Sequence, residues 1–436
     1  MSIMQITDLR GAADAAAFAI PRAAASVASA SKAVAEIIAD VRARGTAAVL
    51  DLTERFDGVR TAALRVPAEE LERAWAEAPV SLRDAIELSI ARVTAGHRAQ
   101  LPVAVATELA AGAVIRQEYL PVQRVGLYAP GGLAAYASSV VMNVVPAQVA
   151  GVESIAVVSP PSRETGLPAN SVLAACAALG VTEVYAMGGA QAIAALAYGL
   201  PESADGAALS PVDVITGPGN VFVAAAKNLV RGDVGIDAVA GPTEIMVIAD
   251  ESANPAHVAA DLLSQAEHDP NAASVLLATS ERLAAAVQQE LSARVLATQN
   301  SERARAALSA DHSQIVLVDD LDTALRISDR YGAEHLEIMT ANPREVASRV
   351  RNAGAVFVGA WSPVSLGDYC AGSNHVLPTS GTSRFASGLN TLTFLRPVQF
   401  IDYSEAALRE VSPHAIALAG AEGLPAHGDA IAARFA

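Results

Sequence analysis

From residue 122 onward the chain alternates short β-branched runs with Ala-rich helical stretches, and this alternation restricts the folds open to it. Residues 122–128 read as a strand that leads into Ala129-Pro130-Gly131-Gly132. Helix 138–151, strand 154–159, helix 170–180 and strand 183–187 follow. Gly188-Gly189 opens a helix at 190–198, and Gly217-Pro218-Gly219-Asn220 opens another after strand 212–216. Strand 244–249 closes the series. Units of this length predict a parallel sheet covered by helices on both faces. A second series on the same plan has strands at 274–279, 314–318, 335–339 and 355–358. Its helices are at 254–268, between 281 and 310, at 320–330 and at 343–352.

Before these series, residues 1–25 read as an irregular arm. Residues 31–100 read as helices with apolar faces such as Val34, Ile37, Ile38 and Val41. After Pro378 the chain is rich in Thr, Ser and Gly up to Gly388, a linker signal. Beyond it, 391–401 reads as extended and 403–423 as helix. A tail of this size is too small to bury its own core, so it is expected to dock elsewhere, for instance on a partner subunit.

A chain of 436 residues with 52% hydrophobic and only 4% aromatic residues has ample aliphatic material for more than one core. Its 30 basic and 46 acidic residues give a net charge of −16, with no basic cluster. Nucleic acid and anionic membrane are therefore excluded as expected partners. No apolar stretch reaches the roughly 18 residues of a membrane span. The mixed, Asp8-bearing N-terminus does not suit a signal peptide. With only Cys176 and Cys370, a reducing cytoplasm is the simplest expectation.

Glu334-His335 precedes an apolar run in the second series. Active sites of such sheets collect at the carboxyl ends of strands, which is where this pair is expected. Histidine can take a hydroxyl proton and a glutamate can deprotonate water. An exposed salt-bridged pair is the competing reading. Gln265 and His268, three apart on a helix, point to one side and offer an amide oxygen and an imidazole to a divalent metal. Equally, His268 can stabilise the last carbonyls of its helix. Asp368, read as a loop residue, serves a metal or a turn. His375, Glu422 and His427 are further polar candidates. Cys370 has no basic neighbour in sequence and reads as packing. The three glycine-bearing loops can cradle phosphates or simply turn the chain. None carries the G-x-G-x-x-G dinucleotide pattern.

Taken together, these segments resemble the histidinol dehydrogenase family. The resemblance is carried by Val125-Gly-Leu-Tyr128-Ala-Pro-Gly-Gly132, Gly188-Gly-Ala-Gln191, Gly217-Pro-Gly-Asn220 and Ala240-Gly-Pro-Thr243-Glu244. It continues through Leu263-Ser-Gln265-Ala-Glu-His268, Gly332-Ala-Glu334-His335 and Gly367-Asp368-Tyr369 to Asn374-His375-Val-Leu-Pro378. It spans roughly residues 120–430 in family order. It implies a zinc-dependent, NAD-linked four-electron oxidation of L-histidinol to L-histidine through the aldehyde, the last steps of histidine biosynthesis. Gln265, His268, Asp368 and His427 would hold one Zn²⁺ per subunit. Glu334 and His335 would be catalytic. Thr243, His375 and Glu422 would contact substrate together with His335 and the metal ligands. Tyr128, Gln191 and Asn220 would contact NAD.

The implied architecture is two Rossmann-like, doubly wound parallel-sheet domains with an N-terminal arm and a C-terminal tail domain, in an intertwined homodimer. The expected division is an arm (1–25), a first α/β domain (26–121 with 244–388) bearing the Glu334-His335 pair and most metal ligands, a second α/β domain (122–243) bearing the NAD contacts, and a tail (389–436) docking on the partner. Thr243 stands where the family commonly has Ser, and the stretch 201–211 looks longer than usual. A same-fold dehydrogenase acting on another small polyol, such as dihydroxypropanesulfonate, is the alternative of the same class. A zinc hydrolase using Glu334 to activate water is the alternative of another class.

Overall fold

A computed structural model describes residues 3–23, 27–61, 63–131, 136–201, 208–238 and 241–436. Gly132, Ala240 and most of the 201–211 stretch lie outside the described residues.

The chain forms two compact units. The first comprises residues 1–100 and 123–394, and the second 101–122 and 395–436. Within the first unit, five parallel strands form one sheet in the order Val184–Ala186, Ser154–Ser159, Arg124–Tyr128, Val214–Thr216, Gly235–Ile236. Six parallel strands form the other, in the order Gln5–Asp8, Gln314–Leu317, Ala273–Ala278, Glu244–Ala249, His335–Met339, Ala355–Val358. The central strands of both sheets are almost wholly buried, as expected of parallel sheets covered on both faces. The two alternating series thus form two all-parallel sheets, except that Glu244–Ala249, read as the end of the first series, is a central strand of the second sheet.

Three expectations are corrected. The arm is not irregular throughout: Gln5–Asp8 is the edge strand of the six-stranded sheet, with Met4 buried beside it. Second, helices Val27–Arg44 and Thr46–Asp57 belong with the five-stranded sheet, not with residues 244–388. Val34, Ile38, Val41, Val49 and Leu52 share a core with Ile193, Leu196, Val223 and Val230. Helices Ala68–Glu77 and Val80–Arg98 likewise pack on Asn170–Ala178 and Ala137–Ala150. Periodicity shows that a helix has an apolar face but not which layer it covers. Third, residues 101–121 belong with the tail and not with the first α/β domain. Strand Leu395–Tyr403 pairs antiparallel with Ala113–Pro121, which pairs with Val105–Ala110, and this three-stranded sheet with helices Glu405–Ala421 and Pro425–Ala432 forms the second unit.

Gly217 links the five-stranded sheet to the loop before helix Val221–Val230. Its φ is +116°, and a Cβ there would lie 2.1 Å from the Tyr128 carbonyl oxygen. Gly217→Ala is therefore expected to lower stability by at least about 1–3 kcal/mol from backbone strain alone. Thermal unfolding of the variant checks this.

Candidate active site

The six-stranded sheet places Glu334-His335 where strand direction reverses the sequence expectation. The site lies at the amino ends of two adjacent strands, Glu244–Ala249 and His335–Met339, where His335 is in register with Ile245. The carboxyl-end rule fails here because helix Pro255–Ala266 runs back to the amino edge and delivers Gln265 and His268 there. The carboxyl-end rule does hold for the five-stranded sheet, whose loops at Pro130-Gly131 and at 217–221 line the same cavity. The cavity has a volume of about 620 Å³. It gathers Asn220, Thr243, Gln265, His268, Glu334, His335, Asp368 and His375 from segments far apart in sequence.

A directed hydrogen-bond chain runs along its floor. Gln265 Nε2 donates to Thr243 Oγ1, and the Thr243 hydroxyl donates to Glu334 Oε2 at 2.5 Å. The Glu244 amide donates to the same oxygen at 2.8 Å. Thr243 has one proton to give, so it must accept from the Gln265 amide nitrogen, and the Gln265 oxygen stays available. Thr243 therefore does the work of any hydroxyl at this position. His335 Nδ1–H donates to the Glu244 carbonyl at 3.1 Å, which fixes the ring and leaves Nε2 as the basic nitrogen. Arg22 from the arm donates to Glu244 Oε1 and to the Tyr331 carbonyl, and lies 3.8 Å over the Tyr331 ring.

Burial opposes charge on both members of the pair, but each holds the other ionised. The Glu334 carboxyl is driven up by burial, yet His335 and the bonds from Thr243 and Glu244 bring it below its usual range. For His335 burial works downward, yet Glu334, 3.5 Å away, and Asp368 push it up to about 9. Burial, reinforced by the charge of Glu334 and countered by Arg22, lifts Glu244 to about 7. His375 is held low by burial. Its Nδ1–H donates to the Asp368 carbonyl at 3.1 Å and its Nε2 accepts from Ser139 Oγ at 3.2 Å.

Asp368 is not in a loop. It lies in a short helix, Val364–Tyr369, that sequence reading missed because Gly367 interrupts its helical pattern. A Cβ at Gly367 would lie 2.7 Å from the Phe357 ring, so glycine is what lets this helix approach the sheet. The helix Pro255–Ala266 ends before His268, which still reaches the cavity from the following turn. Glu422 caps the end of helix Glu405–Ala421, and His427 lies within helix Pro425–Ala432 instead of in a loop. Both belong to the second unit and are exposed.

The donors in the cavity are the amide of Gln265, the imidazole of His268 and the carboxylate of Asp368, a nitrogen–oxygen set that suits Zn²⁺. Among the described residues, no group of three or more His, Cys, Asp or Glu side chains is close enough to hold a metal ion. A four-ligand shell built on these three donors therefore needs one more. The nucleotide-facing candidates fall into two classes. Asn220 lines the cavity and caps helix Val221–Val230 through its side chain. Tyr128 and Gln191 are buried beneath the loops: Tyr128 Oη accepts from the Gly189 amide at 3.1 Å, while Gln191 Nε2 has no hydrogen-bond partner among the described residues. A buried donor left unpaired fits a ligand contact.

Lys227 and Asp237 also line the cavity and were missed from sequence. They form a buried ion pair, with Lys227 Nζ donating to the Gly217 carbonyl at 3.0 Å and Asp237 accepting from the Gly217 amide at 2.8 Å. The signal was present: Lys227 is one of only two lysines, the other being Lys32, and it interrupts an apolar helix.

Sequence and structure comparisons point to one family. A family-wide profile described as histidinol dehydrogenase matches residues 20–435. A histidinol dehydrogenase of Corynebacterium efficiens is 54% identical over 99% of this chain and 96% of its own length. One from Mycobacterium bovis is 55% identical over 98% and 97%. The crystal structure of histidinol dehydrogenase from Elizabethkingia anophelis superposes with a TM-score of 0.93 at 31% identity, covering 100% of this chain and 98% of that one. The chain belongs to the histidinol dehydrogenase family of oxidoreductases.

Proposed function

We propose that the protein oxidises L-histidinol to L-histidine through L-histidinaldehyde, with one Zn²⁺ per subunit and two NAD used in turn. The observation that carries this reading is the Gln265–Thr243–Glu334 chain beside His335, in one cavity with His268 and Asp368. The reaction balances as alcohol, two NAD⁺ and water giving carboxylate, two NADH and three protons.

His335 Nε2 takes the alcohol proton, because Nδ1 is committed to Glu244. Glu334 receives both its hydrogen bonds on Oε2, which leaves Oε1 to deprotonate the water that adds to the aldehyde. His335 then accepts the proton of the hydrated aldehyde. Gln265, His268 and Asp368 hold the zinc, with His427 of a partner subunit as fourth ligand in a homodimer. His375 and Thr243 bind substrate together with Glu422 from the partner. Tyr128, Gln191 and Asn220 receive the nucleotide. When bound, zinc supplies a template that fixes the amino alcohol, and NAD supplies the hydride acceptor.

The direct test is NADH formation from L-histidinol by the purified protein, with and without a chelator. Two NADH per histidinol consumed, loss of turnover on chelation and recovery with Zn²⁺ support the reading. Turnover of dihydroxypropanesulfonate in place of histidinol would overturn it.

The raised His335 gives a pH dependence whose sign is fixed. A base must be deprotonated, so kcat/KM is expected to rise with pH and level off above about 9. Glu334→Gln removes the largest influence that raises His335, so the inflection is expected to move to lower pH. A pH profile of both proteins with L-histidinol checks this.

No helix is long and apolar enough to cross a membrane among the described residues.

A further inference from the structure

Beneath the site lies a pair of acidic side chains that the reaction does not use. Asp261 sits on helix Pro255–Ala266, one turn before Gln265 and two before His268. Glu337 sits on strand His335–Met339, two residues past His335 and so on the same face. Glu337 is fully buried and Asp261 is 6% exposed, and their carboxyl groups face each other closely enough for one proton to be shared between them. Asp261 also accepts from the Val364 amide at the start of helix Val364–Tyr369, whose own N-terminal residue, Pro363, offers no side-chain cap. That helix carries Asp368.

We propose that Asp261 and Glu337 are positioning residues: their carboxyl–carboxylate bond, with the Val364 bond, fixes in one register the three elements that carry Gln265 and His268, Glu334 and His335, and Asp368. The inference rests on the roles assigned to those residues above. Among the described residues no amide, hydroxyl or basic group donates to either Glu337 oxygen, whereas the Val364 amide and His257 favour charge on Asp261, so the proton of the pair is assigned to Glu337, which donates to Asp261. Burial and the neighbouring Asp261 charge both raise the Glu337 carboxyl, in keeping with that assignment. The other titratable group acting on the pair is His257, one turn before Asp261, which favours charge on Asp261. Apolar side chains would fill this core at no loss of stability, since two buried carboxyls are costly to desolvate. A three-way polar junction gives directional register that an apolar contact does not.

The experiment compares Glu337→Gln, Glu337→Leu and Asp261→Asn in the full-length protein with Zn²⁺ added. Gln keeps a donor toward Asp261, so kcat is expected to stay within about threefold of the parent. Leu keeps the volume but removes the bond, and Asn replaces one of the two acceptor oxygens. Both are expected to lose about 10- to 100-fold in kcat, the scale of a sub-ångström to 1 Å misplacement, while still unfolding cooperatively. Infrared spectroscopy should show the carbonyl stretch of a buried protonated acid in the parent and in Asp261→Asn, but not in Glu337→Gln. Undiminished kcat in Glu337→Leu, or persistence of that band in Glu337→Gln, overturns the proposal. If Glu337→Leu does not fold, equal rates in Glu337→Gln and Asp261→Asn overturn it. The infrared band needs no turnover, so it still reads the pair if the parent fails to oxidise L-histidinol and the functional reading falls.

Discussion

Replacing His335 with Asn is expected to lower kcat for NADH formation from L-histidinol by about 10²- to 10⁴-fold, the usual contribution of a positioned general base. Asn is the informative choice because its Nδ2–H can replace the Nδ1–H donation to the Glu244 carbonyl at 3.1 Å. The floor of the cavity then keeps its hydrogen bonds, and only the basic Nε2 is removed. Glu334→Gln should separate the two halves of the reaction. Its amide oxygen can still accept from Thr243 and the Glu244 amide, but it cannot deprotonate water. Oxidation of L-histidinaldehyde should therefore fall much further than oxidation of L-histidinol. Single-turnover measurements starting from each substrate would detect this. His335→Asn should slow both half-reactions, whereas equal loss of both in Glu334→Gln would remove the division of labour proposed for the pair.

The legible parts of this fold are those governed by local physics. Strands such as Ser154–Ser159 and Glu244–Ala249 have apolar or β-branched runs long enough to identify and bounded by clear breakers. The grouping of Gln265, His268, Glu334, His335 and Asp368 was suggested by motif order, and these residues do line one cavity. Their setting was not. The amino-edge location depends on Glu244–Ala249 and His335–Met339 being neighbours, although 85 residues separate the end of one from the start of the other in sequence numbering. That pairing is a tertiary choice. Residues 105–121 drew no assignment because Val105–Ala110 is largely exposed and mixes Ala, Thr and Glu without an apolar face. Arg22 was invisible because its partner, Glu244, is 222 residues away. The Asp261–Glu337 pair escaped because burial turns ordinary acids into a structural bond only once the fold is made.

Mixing two inactive variants tests whether the catalytic centre is shared between subunits. His335→Asn removes a group supplied by the first unit, and His427→Ala removes one proposed to come from a partner's second unit. Each variant alone should have little turnover: the first lacks its base, the second lacks a metal ligand. In a heterodimer with exchanged tails, one centre collects both defects and the other collects neither. Random reassociation of equal amounts makes half the dimers mixed, and half the centres in those are intact. Recovery of about a quarter of parental activity is therefore expected after unfolding and refolding the mixture. A centre built from one chain would always contain one of the defects, and the mixture would stay as inactive as its components. Exposure of both Glu422 and His427 in the second unit is the arrangement that sharing requires, because a side chain already buried within its own unit could not reach another subunit's zinc. The same logic makes removal of residues 388–436 abolish turnover.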